Sequence, residues 1–204
     1  WALDIQNQLK LLNSRIIKAE YGELPDLSNI DFTSDVVFTW NGTTSGVRVP
    51  DGDWISADRA GLTIVDATSA LFGMYLPWSK IDVATWSWQK TLGGEAAHGM
   101  IALSPRALER LKTFIPPWPL PRLFCLIDDG KINEKIFEGE TINTPSMLAV
   151  EDVLDALIWA KKVGGLQSLV FRTNQNADAV EKWVNRTPWI RYLCADIKAR
   201  SPTS

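Results

Sequence analysis

The stretch IDVATWSWQKTLGG, residues 81–94, decides the fold. Its first six residues form a largely apolar run, which is typical of a β-strand buried in a parallel sheet. Lys90 lies in the polar, glycine-containing loop that follows the strand. A solvated lysine is a poor nucleophile, but a site that desolvates its amine turns it into a Schiff-base former. The alternative is an ordinary surface charge that pairs with Glu95.

Two further apolar runs, residues 35–40 and 62–65, also end in polar loops. Repeated units of this kind predict an α/β fold with a mostly parallel sheet flanked by helices. In such sheets, ligands collect beyond the carboxyl ends of the strands. We therefore expect Thr43, Asp66 and Lys90 to converge in space, although they are far apart in the sequence.

The remaining pattern predicts four helices and three shorter strands. Apolar spacing and capping residues place the helices at residues 1–13, 105–114 with Ser104 as the cap, 146–163 closed by two glycines, and 166–186. The first of these rests on Trp1, Ile5, Leu9 and Leu12. The further strands are predicted at residues 15–19, 98–103 and 189–195.

Asp66 ends a buried strand, and an isolated buried carboxylate is costly unless it is paired. One suitable partner is the protonated ring nitrogen of a pyridine cofactor, which is the electron-sink arrangement of pyridoxal phosphate (PLP). Lys90 would then hold the cofactor aldehyde as an imine. The alternative for Asp66 is a turn cap through Thr68 or Ser69.

Three other candidates also have structural alternatives. Asn143 and Thr144 precede a helix, whose N-terminus binds anions such as a phosphate, but Thr144 with the following proline is also a typical helix cap. Thr43 lies in a glycine-containing loop and serves the turn in the simpler interpretation. Trp1 is either a ligand contact or an apolar anchor for the first helix.

The composition bounds the class of protein. With 204 residues, 46% of them hydrophobic, and a net charge of -3, the chain can bury a core and lacks the basic blocks of a general nucleic-acid binder. No apolar run is long enough to cross a membrane, and Cys125 and Cys194 are typical of reduced thiols in a cytoplasmic protein rather than of a metal site. The single histidine, His98, is expected to be a packed structural residue.

Four segments together resemble the phosphoserine aminotransferase family of class V, fold-type I PLP enzymes. They are FTWNGTTSG at residues 38–46, DATS at 66–69, SWQK at 87–90 and INTP at 142–145. The likeness runs over essentially the whole chain, and it is greatest to the bacterial branch that carries GGEAAHGM, here residues 93–100, after the lysine. The resemblance implies the PLP-binding large domain of that fold.

The resemblance also implies a role for each candidate residue. Lys90 would be the catalytic lysine that carries the cofactor, and Asp66 would bind the pyridine nitrogen. Trp1 would stack on the cofactor ring, Thr43 would donate to the ring's phenolic oxygen or its surroundings, and Gln89 would contact the phosphate. No metal is implied.

In this family the Asn-Thr pair, here Asn143 and Thr144, reaches the phosphate of the partner subunit's cofactor, so that a homodimer is required. The resemblance divides the chain into a large domain at residues 1–188, whose N-terminal part is missing, and the start of a small domain at 189–204. The family's substrate-binding arginine would lie outside the chain.

The implied function is PLP-dependent amino-group transfer between O-phosphoserine or 3-phosphohydroxypyruvate and glutamate or 2-oxoglutarate, in serine biosynthesis in the cytoplasm. The alternatives are another class V enzyme, such as a serine- or alanine-glyoxylate aminotransferase or a cysteine desulfurase, or a cofactor-binding piece that is inactive as isolated. We expect residues 1–204 alone to be inactive.

Overall fold

A computed structural model describes residues 1–11 and 13–203. Its β-strands are β1 (Val36–Thr39), β2 (Asn41–Gly42), β3 (Val47–Arg48), β4 (Thr63–Asp66), β5 (Val83–Trp86), β6 (Met100–Leu103), β7 (Ile127–Asp128) and β8 (Lys131–Ile132). β1, β4, β5 and β6 form one sheet in that spatial order, whereas β2 with β3 and β7 with β8 form antiparallel hairpins.

The sheet is mostly parallel, as predicted. β4 pairs in parallel with both β1 and β5, and Asp66 lies opposite Thr39 on one side and Thr85 on the other. The carboxyl ends of the three strands therefore meet at one edge of the sheet. β6 runs antiparallel to β5, with Met100 opposite Trp86. Residues 87–99 connect β5 to β6 without a helix, whereas a parallel neighbour usually needs a helical crossover.

The helices are α1 (Ala2–Asn7), α2 (Pro105–Thr113), α3 (Met147–Lys162) and α4 (Gly165–Asn185). The Ser104 hydroxyl caps α2 by accepting from the Ala107 N–H at 3.2 Å, so the predicted cap is confirmed. The last three helices agree with the prediction within a residue or two. In residues 1–11 and 13–203, no helix combines the length and apolar character needed to cross a bilayer.

The N-terminal helix is shorter than predicted. α1 buries none of its residues, and a helix of six residues without a packed face has little to stabilise it. Lys10 has a positive φ of 52°, which is incompatible with a continuing right-handed helix. Leu12, on which the prediction partly rested, lies outside the described residues.

Two predicted strands are wrong. Residues 15–19 and 189–195 adopt irregular backbone and pair with none of the described strands. Both contain apolar residues that the pattern counted as strand formers, but Ile16 and Trp189 are 36% and 83% exposed. A short apolar run becomes a strand only where a neighbouring strand accepts its hydrogen bonds, and that neighbour is not visible in local sequence.

The core lies against the middle strands of the sheet. Val65 and Ala84 are fully buried there, and Trp40 packs on the same cluster. The aromatic rings of Phe38 and Trp54 extend this cluster with an edge-to-face contact, with centroids 5.1 Å apart. A rigid core beneath the strand ends holds the loops that follow them in place.

At the opposite end of the sheet, a buried carboxylate joins three elements. Asp82 Oδ2 accepts from Arg59 Nε at 3.2 Å, from Arg106 Nη1 at 3.1 Å and from the Thr63 N–H at 3.0 Å. Its Oδ1 accepts from the Ser104 hydroxyl at 2.8 Å. Burial raises the pKa of Asp82, but the hydrogen bonds from Thr63 and Ser104 and the Arg59 charge outweigh it and hold that pKa below its usual value.

Candidate functional site

The loops beyond the carboxyl ends of β1 and β5 open into a cavity of about 780 Å³. Thr43 comes from the β2–β3 hairpin that follows β1, while Gln89 and Lys90 come from the loop that follows β5. The structure thus brings three of the predicted site residues to one cavity. A space of this volume is in the range of small-molecule sites.

The loop that carries Lys90 folds back on itself. The Gly93 N–H donates to the Lys90 carbonyl at 2.9 Å, and the Gly94 N–H donates to the Trp88 carbonyl at 3.0 Å. Gly93 has a φ of +73°, a conformation that other residues rarely adopt. The turn leaves the Lys90 side chain exposed at the cavity, and among the ion pairs of the described residues none joins it to Glu95.

Gln89 lies beside the lysine and has an unsatisfied polar atom. Its Oε1 is buried and has no hydrogen-bond partner among the residues that the structure describes. A buried polar atom of this kind normally has a protein, solvent or ligand partner. Because amide oxygen and nitrogen positions are interchangeable by a flip, Gln89 can offer either a donor or an acceptor to a ligand.

Asp66 does not line the cavity, and its carboxylate serves the turn that follows β4. Asp66 Oδ1 accepts from the Thr68 N–H at 2.9 Å and from the Thr68 hydroxyl at 2.6 Å. The turn-cap alternative is therefore confirmed for this oxygen. The other carboxylate oxygen, Oδ2, accepts no hydrogen bond from the described residues, so it remains available as an acceptor.

The C-terminal segment covers the same edge of the sheet, which the sequence pattern did not predict. The Ser201 N–H donates to the Gly46 carbonyl at 2.8 Å, and the Thr203 hydroxyl donates to the Ser69 carbonyl at 3.1 Å. The Asn41 amide donates to Ser69 Oγ at 3.0 Å. Polar residues at three distant points of the chain thus form one network, two of whose members, Ser69 and Thr203, line the same cavity as Lys90. Only their polar character was visible in the sequence.

Two arginines that the sequence analysis missed also line the cavity. Arg200 pairs with Glu181, Nη1 to Oε1 at 3.2 Å, and its guanidinium lies 3.8 Å from the centroid of the Tyr192 ring. Arg48 donates from Nε to the Lys198 carbonyl at 3.3 Å, and burial lowers the pKa of its guanidinium. Because residues 189–204 were assigned to a separate domain, nothing in the pattern placed Arg200 near Lys90.

The other predicted residues lie outside this cavity. Trp1 is 48% exposed and lines a second cavity of about 660 Å³ beside β1, which also reaches Thr39. Asn143 and Thr144 are both exposed and lie outside the lining of either cavity. Thr144 is not the cap of α3: Ser146 is, its hydroxyl accepting from the Ala149 N–H at 3.4 Å, so that alternative is wrong.

The lining of the main cavity suits a polar organic ligand. An amine, hydroxyls, an amide and two guanidinium groups line it together with the carboxylates of Asp178 and Glu181, and a lysine amine forms an imine with a carbonyl compound. Within residues 1–11 and 13–203, no group of three or more histidine, cysteine, aspartate or glutamate side chains is arranged to hold a metal ion. The arrangement can therefore hold a carbonyl-bearing ligand covalently.

Comparison with known proteins bears on this site. The chain is 59% identical over all 204 residues to the phosphoserine aminotransferase of Methanosarcina mazei, and equally to that of Methanosarcina barkeri. It spans 55% of the length of each of these relatives. No model of a protein family matches the chain.

Solved structures share the fold. The phosphoserine aminotransferase of Cytophaga hutchinsonii superposes with a TM-score of 0.73 at 21% identity, over 89% of this chain and 51% of that one. An alanine–glyoxylate aminotransferase from Nostoc superposes with a TM-score of 0.65 at 16% identity, over 83% of this chain and 44% of that one. The predicted fold is confirmed, and the chain is similar to phosphoserine aminotransferases over about half of their length.

Proposed function

We propose that this chain contributes the cofactor-binding part of a PLP-dependent phosphoserine aminotransferase that acts in serine biosynthesis. The observation that carries the proposal is the 59% identity over all 204 residues to phosphoserine aminotransferases. A solved member from Trichomonas vaginalis, 20% identical, is described with bound PLP. The division into a large domain at residues 1–188 and the start of a small domain at 189–204 remains a prediction.

The chemical groups of the candidate residues are of the types that PLP requires. Bound PLP supplies an aldehyde for covalent attachment and a ring that withdraws electrons from the substrate carbon. Lys90 offers the amine, and its exposure to a cavity beside the unsatisfied Gln89 Oε1 agrees with a ligand at this place. Asp66, which does not line the cavity, would have to reach the ring N–H with its second oxygen, while Thr43 offers a hydroxyl from the hairpin. Trp1, which lines the second cavity, would have to move toward the main cavity to stack on the cofactor ring.

In the proposed reaction, Lys90 has two tasks. It holds the cofactor before the substrate arrives, and once released it moves a proton at the substrate carbon as a general base and acid. Asp66 would pair with the ring nitrogen and favour its protonated form. Gln89 and Thr43 would contact the cofactor and orient it.

Borohydride reduction tests this assignment. Incubation of the purified protein with PLP, followed by reduction and peptide mapping, should place a pyridoxyl group on Lys90. Lys90→Arg should abolish the adduct, whereas Lys112→Arg, which changes a surface lysine of α2, should leave it unchanged. An adduct spread over many lysines, or none on Lys90, would overturn the proposal.

We further propose that the active enzyme is a homodimer in which Asn143 and Thr144 reach the partner's cofactor phosphate. Their exposure away from the cavity of their own chain supports this arrangement. In the full-length protein, mixing a Lys90→Ala variant with an Asn143→Ala/Thr144→Ala variant should restore activity, because a two-fold hybrid dimer regains one intact site and roughly a quarter of all sites become active. Activity that stays at the level of the separate variants would refute a shared site.

The same cavity would also suit another class V aminotransferase. Comparing the turnover of phosphoserine with that of serine as amino donor distinguishes the two functions. Equal turnover of both donors would contradict a phosphate-reading site. Cys194 is disfavoured as the nucleophile of a desulfurase, because burial raises the pKa of its thiol and suppresses the reactive thiolate. The two cysteines are free, which supports the proposed cytoplasmic location.

A further inference from the structure

We propose that His98 is a positioning residue that ties the loop carrying Lys90 to the segment carrying Asn143 and Thr144. The two segments are far apart in the sequence, and the single histidine of the chain contacts both. The part of this inference that concerns the cofactor rests on the proposed function above. The mechanical link between the two segments does not depend on it.

On the side of the lysine loop, His98 is held at two points. The Ser87 hydroxyl donates to the His98 carbonyl at 2.7 Å, which fixes the backbone. The imidazole packs on the indole of Trp88, with ring centroids 4.8 Å apart and planes tilted by 41°. Trp88 is two positions before Lys90, and its carbonyl closes the turn through the Gly94 N–H. The ring of His98 is therefore fixed relative to the lysine loop.

On the other side, His98 completes the N-terminal cap of α3. In a capping box, the N-cap hydroxyl accepts from the third helical N–H, and the side chain at that third position accepts from the N-cap N–H. Ser146 provides the first half of this pattern, but the third helical residue is Ala149, which has no acceptor. His98 Nε2 supplies the missing half by accepting from the Ser146 N–H at 3.1 Å.

This contact requires a particular form of the imidazole. Because Nε2 accepts, the ring proton lies on Nδ1, which is buried and has no partner among the described residues. The lone pair on Nε2 is thus the group that holds Ser146. Glutamine can place its amide oxygen near the position of Nε2, whereas phenylalanine keeps a ring against Trp88 and offers no acceptor.

The geometry has a consequence for Asn143 and Thr144. Ser146 follows them closely, and both are exposed on the segment that precedes α3. With Ser146 held by His98, the segment before α3 has fewer accessible conformations. Loss of the His98–Ser146 hydrogen bond therefore increases the conformational entropy that this segment loses when it binds the cofactor phosphate. His98 is thus expected to affect cofactor affinity and not the chemistry at Lys90.

Hydrogen exchange of the cofactor-free protein tests the link directly. Exchange at the Ser146 amide should accelerate by about two- to tenfold in His98→Phe, as expected for one lost hydrogen bond, and return to the wild-type rate in His98→Gln. The amides of α2 serve as the control and should not change. Equal protection of Ser146 in wild type and His98→Phe would overturn the link.

Titration with PLP tests the consequence. His98→Phe should weaken PLP binding severalfold while, at saturating PLP, borohydride still labels Lys90 to the wild-type extent, and His98→Gln should restore the affinity. Wild-type protein that fails to bind PLP would refute the proposed function, and the exchange result would still decide the link. Wild-type protein that binds PLP no more tightly than His98→Phe would refute the role of His98 alone.

Discussion

Replacement of Asp82 by alanine should destabilise the protein by about 4 kcal/mol. The side chain of Arg59 is only 6% exposed, so loss of the carboxylate leaves a buried charge without its partner, which costs about 3–5 kcal/mol. The Arg106 side chain is 40% exposed, and water can replace its contact at a cost below about 1 kcal/mol. The Thr63 N–H, opposite the same oxygen, also loses its acceptor.

Urea denaturation followed by circular dichroism measures this loss as a lower midpoint at an unchanged slope. A second variant separates the buried charge from the lost contacts. Adding Arg59→Met to Asp82→Ala removes the unpaired guanidinium, so the double variant should recover about half of the lost stability. A loss below about 1 kcal/mol in Asp82→Ala, or a double variant less stable than the single one, would refute the reasoning.

The remaining predictions concern the same end of the sheet. Because the pKa of Asp82 in the folded protein lies below its usual value of 3.8, the ionised Asp82 side chain stabilises the fold above that pH, and this stabilisation is lost as the pH falls further. The free energy of unfolding should therefore fall more steeply with acid in wild type than in Asp82→Asn. Gly61→Ala should destabilise the protein by about 3 kcal/mol, since the added Cβ would overlap the Ser34 carbonyl. Gly99→Ala is the control: its Cβ would meet no atom within 4 Å, so it should be nearly neutral in the same denaturation assay. Ser104→Ala should cost about 2 kcal/mol, because it removes both the α2 cap and a hydrogen bond to Asp82; a cost equal to that of a surface serine would contradict this.

Local sequence predicted the elements whose stability is local. The apolar runs that became β4 and β5 are continuous, and Ser104 followed by proline is a complete helix start, so these predictions are confirmed. The convergence of Thr43 and Lys90 followed from the rule for parallel strand ends. Each of these inferences needs only neighbouring residues and a general rule of sheet geometry.

The failures concern contacts between distant parts of the chain. Residues 189–195 resemble a strand, but the C-terminal segment instead binds the β2–β3 hairpin, with Ser201 on Gly46 and the Arg48 N–H on the Ala199 carbonyl at 2.7 Å. Thr144 with its proline resembles a cap, yet the Ser146 hydroxyl caps α3, and the Ser146 N–H donates to His98 in another loop. The pattern records which groups need partners and not which distant group supplies them.

The position of β1 at the end of the sheet has a consequence for handling the protein. β1 pairs with β4 on one side, and no described strand pairs with its other side, although its sequence VVFT has high β-propensity. The outward-facing backbone groups of such an edge are a template for strand addition by another chain. The ion pair between Asp35 and Arg110, at 2.9 Å, lies just before β1. Low salt, which preserves charge repulsion between molecules, should therefore keep concentrated samples dispersed longer than high salt does.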